Sequence, residues 1–481
     1  MLFNSIAFLV FLPVVWTSYH ALRTANTRIY LLLAASYVFY MWWRVDLAAL
    51  LVLSTVTDYL CGLSMERWSG RRARRIALAV SLTVNLSLLA TFKYWKFFAG
   101  QFTSLGGLFM PGFEFPMLDL VLPMGISFYT FQTISYTIEV FKGRISPEKN
   151  LARFALYVSF FPQLVAGPIE RPSRLLPQIR APREADAPAL VAGLRLILWG
   201  MFKKVVVADR LAIYVDLVYD EPGAHNGAQL SLATAFFAMQ IYCDFSGYCD
   251  IAIGCAKTLG FDLMNNFRRP YLAWCPTEFW RRWHISLSTW FRDYVYFPLG
   301  GSRRGGARGA VALGLTFLVS GLWHGANWTF VVWGAIHGVL VLLERLFRHV
   351  AHVESRAAPA GAGTRLLGTV VTLSLVGIAW VFFRADSISS AWYVITHLFT
   401  DMTTAGISCG LYAPHLLTSV ALISVVLGFD VWEEWQSQSG DLPLWDTMPA
   451  VVRWGGYWSL ATITLLLGQL SGTQQFIYFQ F

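Results

Sequence analysis

Two histidines stand where an ionisable side chain is least expected. His324 lies in Trp323-His324-Gly325, inside a run from 309 to 343 that contains no Lys, Arg, Asp or Glu; His284 lies in the aromatic stretch Trp280-Arg281-Arg282-Trp283-His284. A neutral imidazole takes up a proton and returns it, so either can serve as a general base toward a hydroxyl. An ionisable group within an apolar run is costly unless it faces protein or a water-filled cavity, which makes His324 a candidate functional residue. The run is closed by Arg308 on one side and Glu344-Arg345 on the other. It is too long for one membrane helix, which needs ~20 residues, and reads as a hairpin with His324 near its bend. Gly325 allows another backbone or a substrate to come close. For His337, further along the run, the expectation is a hydrogen bond between packed helices.

The elements that position these groups follow from local pattern. Thr277 and Glu278 after Pro276 signal a helix start. Continued as one helix over 276–298, Phe279, Trp283, Leu287, Trp290, Tyr294 and Phe297 share one face, and Arg281, His284, Ser288 and Arg292 share another. An aromatic face opposite a basic, histidine-bearing stripe suits an interfacial helix bordering a polar cavity. The plainer alternative is a surface helix whose arginines meet lipid headgroups. Trp283, Ser288, Trp323 and Asn327 flank the two histidines and are the candidate substrate contacts. Asp244, in Tyr242-Cys243-Asp244-Phe245-Ser246-Gly247-Tyr248-Cys249-Asp250, joins them as a group that lines a cavity or orients a histidine, or equally forms a structural polar pair. Asp250 does not share its helix face.

Composition places all of this in a membrane. The 481 residues are 56% hydrophobic and only 14% charged, whereas soluble domains carry ~25% charged residues. Apolar stretches recur from 5–17 to 454–467 and give roughly 11 to 13 membrane elements. No alternating-strand pattern appears, so the fold class is an all-α polytopic membrane protein with additional re-entrant or interfacial helices. Residues 122–127, Leu-Pro-Met-Gly-Ile-Ser, form one such interrupted segment. No stretch is long and polar enough for a separate soluble domain, so 1–481 reads as a single membrane domain.

Basic residues at Arg23 and Arg28, then at Arg67, Arg71, Arg72, Arg74 and Arg75, are cytoplasmic by the positive-inside rule, which puts the N-terminus outside. Arg303, Arg304 and Arg308 precede the hairpin, and Arg345, Arg348 and Arg356 follow it, so both its ends read as cytoplasmic and its bend as outward. The net charge of +9 is explained by these loops and implies no nucleic acid. The six cysteines form no CxxC pair, and no metal site is expected. HExxH, Walker and GxGxxG motifs are absent.

The longer motifs carry a resemblance. Residues 122–132 (LPMGISFYTFQ), 161–169 (FPQLVAGPI), 245–248 (FSGY), 279–288 (FWRRWHISLS), 323–325 (WHG), 380–385 (WVFFRA) and 477–481 (IYFQF) resemble the membrane-bound O-acyltransferases, specifically their bacterial alginate O-acetylation branch. The resemblance extends over nearly the whole chain. It implies a ring of helices around a thin centre, with a tunnel joining a cytoplasmic donor to an extracytoplasmic acceptor. It implies His324 as the family's catalytic histidine and His284 as the second active-site residue. It further implies acetyl-CoA as donor substrate, with no permanently bound cofactor, and a periplasmic or membrane-anchored esterase-like partner that modifies an exopolysaccharide such as alginate.

The expected function is therefore a transmembrane O-acetyltransferase of the bacterial inner membrane, surrounded by lipid. In it, His324 is the base on the acceptor hydroxyl and His284 positions or polarises the thioester. By charge, Arg303 and Arg304 are the candidate contacts for the CoA phosphates. The rival is a proton-coupled carrier using His284, His324 and Asp244 as a relay, and the absence of an internal repeat speaks against it.

Overall fold

The computed structural model describes the chain except for residues 69, 302–305, 353–360, 440–447, 470–475 and 478–481. Among the described residues every regular element is helical. Six helices are long and apolar enough to cross a membrane: Ala48–Arg67, Arg71–Gly107, Gly306–His324, Trp328–Val350, Ala362–Arg384 and Pro414–Ser437. The protein is thus a polytopic all-α membrane protein. Its backbone follows from the apolar composition, because inside lipid each N–H and C=O must find its partner within the same segment.

Two compact units divide the chain, Met1–Ile197 with Ile251–Met264, and Leu198–Asp250 with Asn265–Phe481. In the first, helices Ala48–Arg67, Arg71–Leu89 and Ile126–Phe141 pack around a buried polar knot. Asn85 donates to Asp58 at 2.8 Å, while Ser54 donates to Asn85 at 2.6 Å and Ser81 to Thr137 at 3.0 Å. Without competing water such bonds hold helices together, each worth about 1 kcal/mol. Residues 122–125 form no helix; they lead through Pro123 and left-handed Gly125 into Ile126–Phe141, almost every residue of which is buried.

The second unit contains the hairpin read from the charge-free run. Helix Gly306–His324 ends at the bend, and Asn327 caps its partner Trp328–Val350 by accepting from the Thr329 N–H at 3.2 Å. Glycine brings the two helices together. A Cβ on Gly321 would stand 2.2 Å from the Phe330 carbonyl oxygen, and one on Gly334 2.3 Å from that of Phe317. Helix Ala362–Arg384 packs on the hairpin, and its last residue pairs with Asp216 at 2.9 Å and Asp220 at 3.3 Å.

The 276–298 segment corrects the sequence expectation. It is not one helix but three pieces, Pro276–Arg282, Ile285–Phe291 and a π-turn Arg292–Tyr296. The break falls at His284, whose φ of 43° and ψ of 55° are left-handed. A non-glycine residue held there costs on the order of 1–3 kcal/mol, a strain that clusters at functional sites. Tertiary hydrogen bonds impose it: the Ile285 N–H donates to the Asn266 carbonyl at 2.9 Å and the Arg268 N–H to the Arg282 carbonyl at 2.9 Å.

Candidate active site

The break aims His284 into the protein. Its side chain is fully buried, its ring edge-on to Phe245 at 4.7 Å between centroids, and 6.4 Å from the ring of His324. Two imidazoles forty residues apart in sequence thus stand side by side, without reaching direct hydrogen-bond range by their ring centres. Asn266 fixes the orientation of His284. Its Oδ1 lies 3.1 Å from His284 Nδ1, 3.1 Å from the Ser286 N–H and 2.9 Å from the Ser286 hydroxyl. A backbone N–H can only donate, so the Asn266 atom is the carbonyl oxygen and Nδ1 of His284 must carry the proton. Burial pushes the ring pKa down to about 3. His284 is then a neutral imidazole whose Nε2 carries the lone pair. Such an atom accepts a proton or hydrogen bond and cannot donate one to polarise a thioester carbonyl.

His324 closes helix Gly306–His324 in an aromatic cage of Trp323 at 5.0 Å, Trp333 at 4.8 Å and Phe383 at 5.5 Å. The ring of Phe330 fills the space left by Gly325, where a Cβ would meet it at 2.1 Å. Close approach at this glycine is therefore made by a side chain of the protein itself.

A cavity of about 700 Å³ opens at the far end of the hairpin. Its lining includes Arg281, Arg292, Arg345 and Arg348 against a single carboxylate, Glu344. Arg348 pairs with Glu344 at 2.9 Å and Arg292 with Asp293 at 2.8 Å. Arg281 and Arg345 have no carboxylate partner among the described residues. Ser320 lines the cavity on one hairpin helix, and His324 is the next residue along that face, about 6 Å further on at 1.5 Å per residue. A second cavity, of about 530 Å³, lies at the bend, lined by Asp216, Asp220, Asn327, Phe330, Phe383, Arg384 and Asp386 among others. Phe330 and Phe383 thus face this cavity while Phe383 also touches His324.

Of the residues singled out in the sequence, several meet here. Trp323 stands 6.1 Å from His284, and Trp283 stacks on Phe279 at 5.5 Å and packs on Trp380 at 5.1 Å. Ser288 lines the first cavity and donates to the Trp283 carbonyl at 3.2 Å. Asn327 lines the second and donates to the Asp386 carbonyl at 2.9 Å. Asp244 lies elsewhere in the network, salt-bridged to Lys204 at 2.6 Å and accepting from the Ile477 N–H at 2.8 Å. Neither cavity includes Asp244 in its lining. Arg303 and Arg304 lie outside the described residues. Sequence reasoning missed Asn266, which sits in a polar stretch without periodicity. It also missed Trp333, although counting outward from the bend on two antiparallel helices would have set it beside His324.

Comparison with known proteins places the chain among others of related sequence. The model of the MBOAT, membrane-bound O-acyltransferase family matches residues 142–360. The chain is 39% identical over 445 residues to "Probable alginate O-acetylase AlgI" of Azotobacter vinelandii, covering 90% of this chain and 84% of that protein. It is 41% identical over 406 residues to the protein of the same name in Pseudomonas aeruginosa, covering 83% and 75%. To the "Peptidoglycan O-acetyltransferase" of Helicobacter pylori it is 35% identical over 426 residues, covering 82% and 79%.

Proposed function

The chain belongs to the membrane-bound O-acyltransferase family and is an O-acetyltransferase, and from that premise we propose that it moves acetyl from acetyl-CoA to an acceptor hydroxyl across the bacterial inner membrane. One observation carries the reading: a cationic cavity ends one helical turn from two buried histidines, with a second polar cavity on their other side. Arginines without carboxylate partners suit the phosphates of CoA, and a volume of about 700 Å³ suits a ligand of that class. The basic clusters flanking the hairpin orient this cavity to the cytoplasm and the bend outward, with the N-terminus extracytoplasmic.

In the reaction the acceptor oxygen bonds to the thioester carbon as the carbon–sulfur bond breaks. His324 removes the hydroxyl proton and returns it to the departing sulfur, so that acceptor ester and free CoA result. His284, with Nδ1–H committed to Asn266, supplies an acceptor lone pair beside this exchange. The aromatic cage keeps water from the thioester. The acceptor side favours an intermediary protein over direct entry of a polyanionic glycan. Three carboxylates, Asp216, Asp220 and Asp386, face one guanidinium, Arg384, in the outer cavity, and like charges repel. An esterase-like partner acting in trans would then pass acetyl to an extracytoplasmic glycan such as alginate or peptidoglycan.

The test is release of CoA by purified protein in nanodiscs, with a candidate partner, followed with a thiol reagent. Loss of a general base lowers the rate by ~10²–10⁴, so His324→Ala should abolish release while keeping the fold. Equal turnover by both proteins removes His324 from the mechanism.

A further inference from the structure

Helix Trp328–Val350 carries a third buried imidazole. His337 is 1% exposed, and its Nε2 finds no hydrogen-bond partner among the described residues. The helix-packing hydrogen bond expected for it does not supply that atom with a partner. A buried polar atom left without one costs about 1–3 kcal/mol, so a side chain retained there calls for a ligand or a packing reason.

Aromatic rings pack around it. The ring lies parallel to Phe279 at 6.1 Å and edge-on to Trp280 and Trp333, both at 4.9 Å. These neighbours set its place. Trp280 lines the cationic cavity, and Trp333 packs on His324 at 4.8 Å. Along its own helix, Val341 lines an adjoining lobe one turn toward the cavity, with Glu344, Arg345 and Arg348 lining it beyond. His337 therefore stands between a residue that lines the cavity and one that packs on the reacting histidine.

We propose that His337 is a positioning residue for the acyl donor: its Nε2 takes up a hydrogen bond with an amide of the donor's thiol-bearing arm as the arm threads from the cavity to His324. This rests on the donor reading above. An arm with polar amides moving among these rings loses its water, and an unsatisfied amide there is unfavourable by several kcal/mol. One imidazole at the right height removes that penalty for one amide, and aromatic rings line the remainder. No bond to the donor is made or broken by His337.

Two variants separate the polar atom from the ring. His337→Phe keeps an aromatic ring against Phe279, Trp280 and Trp333 and removes the nitrogen; His337→Gln keeps a hydrogen-bonding group and removes the ring. Steady-state CoA release is measured for wild type and both variants over a range of acetyl-CoA concentrations. The expected result is a KM for acetyl-CoA about tenfold higher in His337→Phe, equivalent to ~1.4 kcal/mol, with kcat reduced less than threefold. His337→Gln should recover most of the KM. Wild-type kinetics in His337→Phe would assign His337 to ring packing and overturn the proposal. So would a His337→Gln variant that is folded and as impaired as His337→Phe. Absence of CoA release by the wild type itself overturns the donor reading, and this inference with it.

Discussion

Asn266→Ala tests whether the orientation of His284 matters to turnover. The substitution removes one oxygen that accepts from His284 Nδ1 at 3.1 Å, the Ser286 N–H at 3.1 Å and the Ser286 hydroxyl at 2.9 Å. At a net ~1 kcal/mol for each bond, the arrangement that presents Nε2 loses about 3 kcal/mol. That corresponds to roughly a hundredfold fall in its population, since each 1.4 kcal/mol is tenfold. The main-chain bonds that hold the left-handed backbone at His284 are untouched by this substitution, so the fall should appear in kcat with little change in KM for acetyl-CoA. The assay is CoA release in nanodiscs, with thermal unfolding measured on the same preparations. Asn266→Asp, which keeps an acceptor for all three donors, should retain more activity than Asn266→Ala. The decisive arm is a double-mutant cycle: in a His284→Ala background, Asn266→Ala should have almost no further effect, because residues that act as a unit are non-additive. A further hundredfold loss in that background would refute the claim that Asn266 works through His284.

The cavity and the hairpin make separate predictions. Arg281→Ala combined with Arg345→Ala should raise KM for acetyl-CoA about three- to tenfold, because both side chains are exposed and solvent screens them. The effect should shrink as salt is added, and an unchanged KM at low salt would move the phosphates elsewhere. Gly334→Ala should lower the unfolding temperature markedly, since its Cβ would meet the Phe317 carbonyl oxygen at 2.3 Å, while Gly314→Ala, with nothing within 4 Å, should not. Equal unfolding temperatures for the two variants would contradict the close helix approach.

The membrane class, the helical hairpin and the two histidines were legible in the chain because they rest on local quantities. Length of apolar run, absence of charge and the placement of arginines decide whether a segment crosses lipid, and none depends on distant residues. The motifs around His284 and His324 likewise carried the family. Periodicity failed at 276–298, where apolar positions at helical spacing suggested one helix. Hydrogen bonds from 266–268 outweigh local propensity there and turn the chain at His284. The same long-range contact sets the proton on Nδ1 through Asn266, which no spacing around His284 announces. Asp244 shows what pattern alone leaves open: a carboxylate in an aromatic segment reads equally as a cavity-lining group or a structural pair, and Lys204 and the Ile477 N–H are what engage it. Sequence by itself determined which segments enter the membrane and which residue types are available for chemistry. Only tertiary structure decided which of them face one another, because ring contacts, tautomers and cavities arise between elements that are neighbours in space and not along the chain.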